Sequence, residues 1–391
     1  MIYLDNAATT YPKPQSVLAA ADYAAKKWGA NPGRSGHTMS IGAAEEVYRA
    51  RRAVAEFFHA SGPECVVFTL NCTHAINLVI KGILNSGDHV VASCLEHNAV
   101  TRPLYALSEK GISFTEVQVS AGDHDATVDS FRSALRPNTR LLICTQASNV
   151  LGVRLPVERL AALAHQYGIP ILVDCAQSAG VVPIDLADSG IDFLCLPGHK
   201  GLYGPMGVGV LVTCQGEQLS TVIEGGTGTS SISYEHPSEM PEHLESGTPN
   251  LSGIAGLRAG IGFVNAKGIE RIFRHELLLV QTIYEHFSRD PRIQLYTERP
   301  NEKYFVPVLS FNIKGVNSED IGQKLNAMGF AVRAGLHCAP AAHRFLGTLE
   351  QGTVRVCPSV FTRAEEINRF VMAVRKLVVF YEKRGKQLPN P

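Results

Sequence analysis

Between about residues 60 and 215, short apolar runs rich in β-branched residues alternate with longer amphipathic stretches. That rhythm predicts strand–helix–strand units laid on a parallel sheet. Strands are expected at Cys65–Thr69, His89–Ser93, Arg140–Thr145, Ile169–Asp174, Asp192–Leu196 and Val208–Val212. Helices are expected at Ala75–Asn85 and Pro156–Tyr167, the second stopped by Gly168. Residues 224–250 break the pattern with several prolines and the run Gly225-Gly226-Thr227-Gly228-Thr229-Ser230-Ser231, which predicts a long functional loop rather than a linker. A second unit follows: Gly253–Phe287 mostly helical, Val306–Ile313 a strand, Ser318–Met328 a helix and Glu365–Tyr381 an amphipathic closing helix.

Composition narrows the function classes. The 391 residues carry 36 Lys plus Arg against 36 Asp plus Glu, so no basic footprint for nucleic acid or an acidic membrane is present. Hydrophobic residues at 45 % and charged residues at 18 % fit a folded, enzyme-sized chain and argue against disorder. Met1-Ile2-Tyr3-Leu4-Asp5 has no cationic segment ahead of an apolar stretch, and no apolar run reaches membrane-spanning length. The expectation is a cytoplasmic protein without a membrane segment. The nine cysteines include no Cys-x-x-Cys pair, so no metal site is expected. Most are expected as reduced thiols, several of them in apolar runs where cysteine acts as a small hydrophobe, and a disulfide framework is not expected.

Ligands of open α/β sheets sit beyond the carboxyl ends of the strands. Five expected strands end there on reactive or hydrogen-bonding groups: Asn71-Cys72-Thr73-His74, Glu96-His97-Asn98, Gln146-Ala147-Ser148-Asn149, Asp174-Cys175-Ala176-Gln177 and Gly198-His199-Lys200. Thr73 and His74 open a helix, where free N–H groups attract an anion; an ordinary N-cap is the plainer reading. Asp174 closes an almost wholly apolar strand and needs a cationic or N–H partner, which a structural salt bridge would also supply. Lys200 lies in a glycine-lined turn, either desolvated and nucleophilic or simply facing solvent. No strand is followed by Gly-x-Gly-x-x-Gly and no phosphate-binding Gly-x-x-x-x-Gly-Lys motif occurs, so a nucleotide-dependent oxidoreductase is set aside.

Taken with Tyr3-Leu4-Asp5-Asn6-Ala7-Ala8-Thr9-Thr10, Ser148-Asn149-Val150-Leu151-Gly152, Glu245-Ser246-Gly247-Thr248-Pro249-Asn250, Arg333-Ala334-Gly335-Leu336-His337-Cys338-Ala339 and Arg355, these motifs resemble the cysteine desulfurases of the class V aminotransferase group, fold type I pyridoxal-phosphate enzymes. The resemblance spans nearly the whole chain. It implies an α/β fold with a large cofactor-binding domain over 16–255, built on a mostly parallel sheet, and a smaller α+β domain from 1–15 and 256–391. It implies pyridoxal 5'-phosphate held by Lys200 as the internal Schiff base, with Asp174 on the pyridine nitrogen, Gln177 on the phenolic oxygen, His97 on the ring face and Asn149 near ring and substrate. Thr73, His74 and His199 would hold the phosphate, with Thr248 reaching across from the second subunit of a homodimer. Arg355 would bind the substrate carboxylate through its paired N–H groups.

Cys338 lies in a small, polar, turn-prone segment rather than an apolar run, where basic neighbours favour a thiolate over one more buried thiol. By resemblance it would attack the sulfur of L-cysteine, keep it as a persulfide, release alanine and pass the sulfur to an acceptor protein or small thiol. The segment is similar to the compact-loop type with Arg-x-Gly-His-His-Cys; Leu336 replaces the first of those histidines, and Pro197 stands where a phosphate-binding serine is common. A selenocysteine lyase, a cysteine sulfinate desulfinase, a C–S lyase on the same scaffold and a non-catalytic cofactor-binding sulfur carrier are the alternatives.

Overall fold

The computed structural model describes residues 1–33, 35–229 and 231–385, with 384 and 385 described by backbone alone. Ser230 of the expected loop and 386–391 of the expected second domain lie outside the described residues. The chain opens with β1 (Ile2–Tyr3) and the helices α1 (Gln15–Lys27) and α2 (Thr38–Phe58). Next come β2 (Val66–Thr69), α3 (Cys72–Ile83), β3 (His89–Ser93), α4 (Asn98–Ser108), β4 (Ser113–Val117), α5 (His124–Ala134) and β5 (Thr139–Thr145). Then follow α6 (Val157–Gln166), β6 (Ile171–Asp174), the short α7 (Leu186–Ser189), β7 (Phe193–Pro197) and β8 (Gly209–Val212).

Strands β2 to β8 form one seven-stranded sheet in the order β2-β8-β7-β6-β5-β3-β4. All its neighbours pair in parallel except those of β8, which runs antiparallel to both β2 and β7. Alternate residues face opposite sides. Val91, Leu142, Cys144, Ile171, Val173, Leu194 and Leu196 pack under α2, α6 and the helix that begins at Leu251, whereas Val90, Ile143, Leu172, Phe193 and Cys195 pack under α3 and α4. Burial on both faces is why these strands read as nearly continuous apolar runs. The edge strand β4 escaped the sequence reading because three of its five residues are polar and four are at least partly solvated.

The expected helix over 253–287 is two helices, α8 (Leu251–Lys267) and α9 (Ile269–Phe287), divided at Gly268 with φ 83°. The expected domain boundary after residue 255 falls inside the continuous α8, whose Ile254, Leu257 and Ile261 all pack in the core of the large sheet. The remaining elements are β9 (Ile293–Leu295), β10 (Leu309–Ile313), α10 (Ser318–Ala327), β11 (Phe330–Ala331), β12 (Arg333–Gly335), α11 (Pro340–Leu346), β13 (Thr353–Val356) and α12 (Ala364–Gly385). An antiparallel sheet in the order β12-β13-β10-β9 shares a second core with α9, α10 and α12, and β1 pairs in parallel with β11 beside it. The strand expected from Val306 begins only at Leu309, after Pro307.

Seven of the nine cysteines are free thiols, as expected for most of them, while Cys65 and Cys214 form a single disulfide that the sequence reading did not foresee. The antiparallel register explains it. Val66 pairs with Val212, and the Thr213 N–H donates to the Cys65 carbonyl at 2.8 Å, which leaves the Cα atoms of the two cysteines 4.9 Å apart. No helix among the described residues is long and apolar enough to cross a membrane.

Candidate active site

The carboxyl ends of β2, β3, β5, β6 and β7 open into one cavity of about 230 Å³, closed on the other side by Arg333, His337, Cys338 and Arg355. Strand ends and the second sheet thus bring together Thr73, His97, Asn149, Asp174, Gln177, His199, Lys200, Cys338 and Arg355, nine of the eleven expected site residues.

The other two lie elsewhere. Asn71 is the N-cap of α3, its side chain accepting the His74 N–H at 2.9 Å, so Thr73 sits in the first turn with its side chain exposed beside the cavity. His74 turns its ring back, Nδ1 accepting the Leu70 N–H at 3.2 Å, and does not line the cavity. Thr248 is exposed and also outside the cavity; its hydroxyl accepts from Asn31 at 3.4 Å.

Asp174 is 3 % exposed at the end of β6. Its Oδ1 accepts the Ala176 N–H at 2.9 Å and the Cys72 thiol at 3.6 Å, while no cation among the described residues lies within ion-pair distance. The structural salt bridge that would have explained this acid is therefore missing within the described residues. Its carboxylate lines the cavity. Lys200 makes no side-chain hydrogen bond among the described residues, and burial lowers its pKa, with Asp174 opposing that shift and Arg355 and Arg333 adding to it. A lowered pKa raises the fraction of free amine, the nucleophilic form.

Burial pushes the His97 pKa down to about 4, Asp174 countering and Lys200 reinforcing the shift, and His97 Nδ1 accepts the Ala99 N–H at 3.0 Å. It is thus a neutral ring with its remaining proton on Nε2. His199 is also pushed down to about 4, by burial and then by Lys200 and Lys13. Thr9 lies 3.0 Å from its Nδ1, and Lys13 donates to its carbonyl at 2.7 Å.

Arg355 is 1 % exposed. One guanidinium nitrogen donates to the Asn149 carbonyl and another to Asp5, both at 2.9 Å, while Nε has no partner among the described residues. Cys338 is exposed at the mouth, 3.6 Å from an Arg333 nitrogen. It and His337 take successive left-handed conformations, φ 56° and 51°. Both are side chains that avoid that region, so the surrounding structure imposes the turn. The Asn149 side chain donates to the His337 carbonyl at 2.8 Å, and the Asn98 N–H to the Cys338 carbonyl at 2.7 Å.

Arg333, Asp5 and Cys72 are site residues to which sequence reasoning gave no role. All three stood in quoted motifs. Asp5 meets Arg355 across 350 residues and Cys72 meets Asp174 across 102, separations that no local spacing reveals.

Comparison with known proteins agrees with this geometry. The family model described as "Aminotransferase class-V" matches residues 2–370. A protein of Methanothermobacter thermautotrophicus named a probable cysteine desulfurase is 36 % identical, over 94 % of this chain and 92 % of its own. A probable cysteine desulfurase of Mycolicibacterium paratuberculosis is 34 % identical but longer, so that the chain covers 55 % of it. The apo structure of the cysteine desulfurase from Thermococcus onnurineus NA1 superposes with a TM-score of 0.89 at 33 % identity, covering 96 % of this chain and 94 % of that one. By its sequence, its sheet order and the groups gathered at the strand ends, the chain belongs to the class-V aminotransferases, in the cysteine desulfurase family.

Proposed function

We propose that the protein is a pyridoxal-phosphate-dependent cysteine desulfurase that moves the sulfur of L-cysteine onto Cys338 and releases L-alanine. One observation carries the reading: an exposed cysteine on an imposed left-handed turn opens into the same cavity as a desolvated lysine, an acid with no counter-ion among the described residues and a buried arginine. The residues fit the cofactor. Asp174 without a cation suits a protonated pyridine nitrogen, and the small side chains of Ala7, Ala8, Ala99, Ala147 and Ala176 leave room for a flat ring. The N–H groups of Cys72 and Thr73 precede the first helical bond of α3, from Ala75 to Asn71, and suit a phosphate. When bound, the cofactor supplies an electron sink for the carbon next to the amino group.

The chain's own residues do the rest. Lys200 as a free amine would take a proton from the substrate and, as the resulting ammonium, return it. His97 supplies a neutral ring face, and Gln177, held by the Ala7 carbonyl at 2.9 Å, has its amide fixed against the cavity. Arg355 offers its unpartnered Nε–H toward the substrate carboxylate, its other nitrogens fixed by Asn149 and Asp5. Cys338 as thiolate attacks the substrate sulfur: an S–S bond forms, the C–S bond breaks with its electron pair passing to carbon, and protonation of that carbon completes alanine. A thiol of an acceptor protein or small molecule then takes the outer sulfur and restores Cys338.

The exposed Thr248 and the loop around it suit a homodimer in which Thr248 completes the partner's site. The domain division that accompanies this reading shifts from the expected 255/256 to Gly268, where α8 ends. Mass spectrometry after incubation with L-cysteine tests the function: one extra sulfur on Cys338, with alanine formed in equal amount, supports it. Cysteine turnover unchanged in Cys338→Ala would refute the nucleophile. Turnover of selenocysteine or cysteine sulfinate retained in that variant would place those substrates outside the thiol step.

A further inference from the structure

The turn that carries Lys200 is held from behind by a group with no role so far. Tyr203, three residues on, is 2 % exposed and sits in the left-handed region at φ 58°. A bulky L-residue avoids that conformation unless its surroundings fix it. Its N–H donates to the Lys200 carbonyl and the Gly204 N–H to the Gly198 carbonyl, each at 2.8 Å, so Tyr203 is part of the closed turn. Its ring meets Phe263 edge-on at 5.1 Å, and its hydroxyl donates to Oε1 of Glu276 on α9 at 3.2 Å. Glu276 is 6 % exposed, and no cation among the described residues pairs with it. It shares with Lys200, Gln177, Tyr203 and Cys357 a chamber of about 30 Å³ behind the main cavity. A carboxyl buried without a counter-ion weakens a fold, so stability gives no reason for an acid here.

We propose that Glu276 is a positioning residue for Lys200: its carboxyl oxygen holds the Tyr203 hydroxyl, and Tyr203 fixes the left-handed turn that presents the lysine to the cavity. The importance of that lysine rests on the function proposed above. The positioning itself does not.

Three variants separate the possibilities. Glu276→Gln keeps an oxygen that accepts from Tyr203, Glu276→Leu removes it, and Tyr203→Phe removes only the hydroxyl. Hydrogen exchange of the 198–204 peptide is measured on the cofactor-free protein. Exchange about tenfold faster in Glu276→Leu and Tyr203→Phe, as expected for loss of one buried hydrogen bond, with Glu276→Gln close to the parent, supports the proposal. The same order is expected for the rate at which added pyridoxal phosphate becomes fixed to the Lys200 peptide by borohydride. Parent-like exchange in Tyr203→Phe, or equal loosening in all three variants, overturns the proposal. Should Glu276→Leu fail to fold, Tyr203→Phe and Glu276→Gln still decide. A parent that takes up no pyridoxal phosphate overturns the functional reading instead, and the exchange result still judges the positioning.

Discussion

Glu96 is a wholly buried acid at the end of β3, and replacing it by glutamine should reverse the sign of a stability difference as pH changes. One carboxyl oxygen accepts the Ser93 hydroxyl and, at 2.7 Å, the Thr145 N–H; the other has no partner among the described residues. Burial raises its pKa from the ordinary 4.5 to about 8. Between those values the folded chain holds a proton that the unfolded chain has lost, so stability falls as pH rises through the window and the loss is complete above about 8. From about pH 5 to about pH 9 the parent should lose about 4 kcal/mol on this account, which the glutamine variant does not. At the acid end the new amide NH₂ faces the site of the unpartnered oxygen and costs roughly 1–3 kcal/mol. Glu96→Gln should therefore be the less stable protein near pH 5 and the more stable near pH 9. Urea unfolding of both cofactor-free proteins, followed by far-ultraviolet circular dichroism, measures the difference, in which the similar titration of Glu276 cancels. A difference that does not change with pH would refute the burial argument.

Other outcomes are equally specific. Arg51 gives two nitrogens to Glu245 at 2.7 and 2.6 Å, and these side chains are only 11 % and 18 % exposed. Glu245→Ala should then cost about 3–5 kcal/mol in urea unfolding and speed proteolysis of the loop that leads to Thr248. Gly180 has φ 77°, and a Cβ there would lie 2.4 Å from the Gly201 carbonyl oxygen beside Lys200. Gly180→Ala should slow pyridoxal-phosphate uptake about tenfold or more with secondary structure intact, as circular dichroism would show. Asp5→Ala leaves Arg355 buried without its anion, at a cost of about 3 kcal/mol in urea unfolding, because Asp5 is partly solvated. A cost near zero would mean that Arg355 is reached by water.

The central sheet was legible because strands buried on both faces must be apolar throughout, and the site was legible because the polar groups follow those strands. Thr73, Asp174 and Lys200 could be placed in this way from the chain alone. What stayed hidden depends on contacts that periodicity does not carry. His74 looks like a helix-start ligand, but Asn71 supplies the cap and leaves the histidine ring to Leu70. Cys65 and Cys214, 149 residues apart, meet only through the register of β2 with β8. Glu276 sits in an amphipathic helix whose periodicity marks its position as buried, but nothing in that periodicity says that a tyrosine hydroxyl waits there.

The first ten residues bring these threads together. Ile2 and Leu4 pack in the core of the smaller sheet, so this end of the chain is anchored on one side. From there Asp5 reaches Arg355, the Ala7 carbonyl takes the Gln177 amide, and Thr10 donates to the Lys200 carbonyl at 2.5 Å. One short segment therefore touches Arg355, Gln177 and Lys200, all of which line the cavity. These groups belong to two separate cores, and any shift between those cores would pull on all three contacts at once. Backbone pairing of β1 with β11 and the Thr10 N–H bond to the His199 carbonyl at 3.1 Å fix the segment at both ends of its path. It follows that the cavity's shape depends on this segment as a whole, and that Asp5 and Thr10 act by keeping Arg355 at a set distance from Lys200.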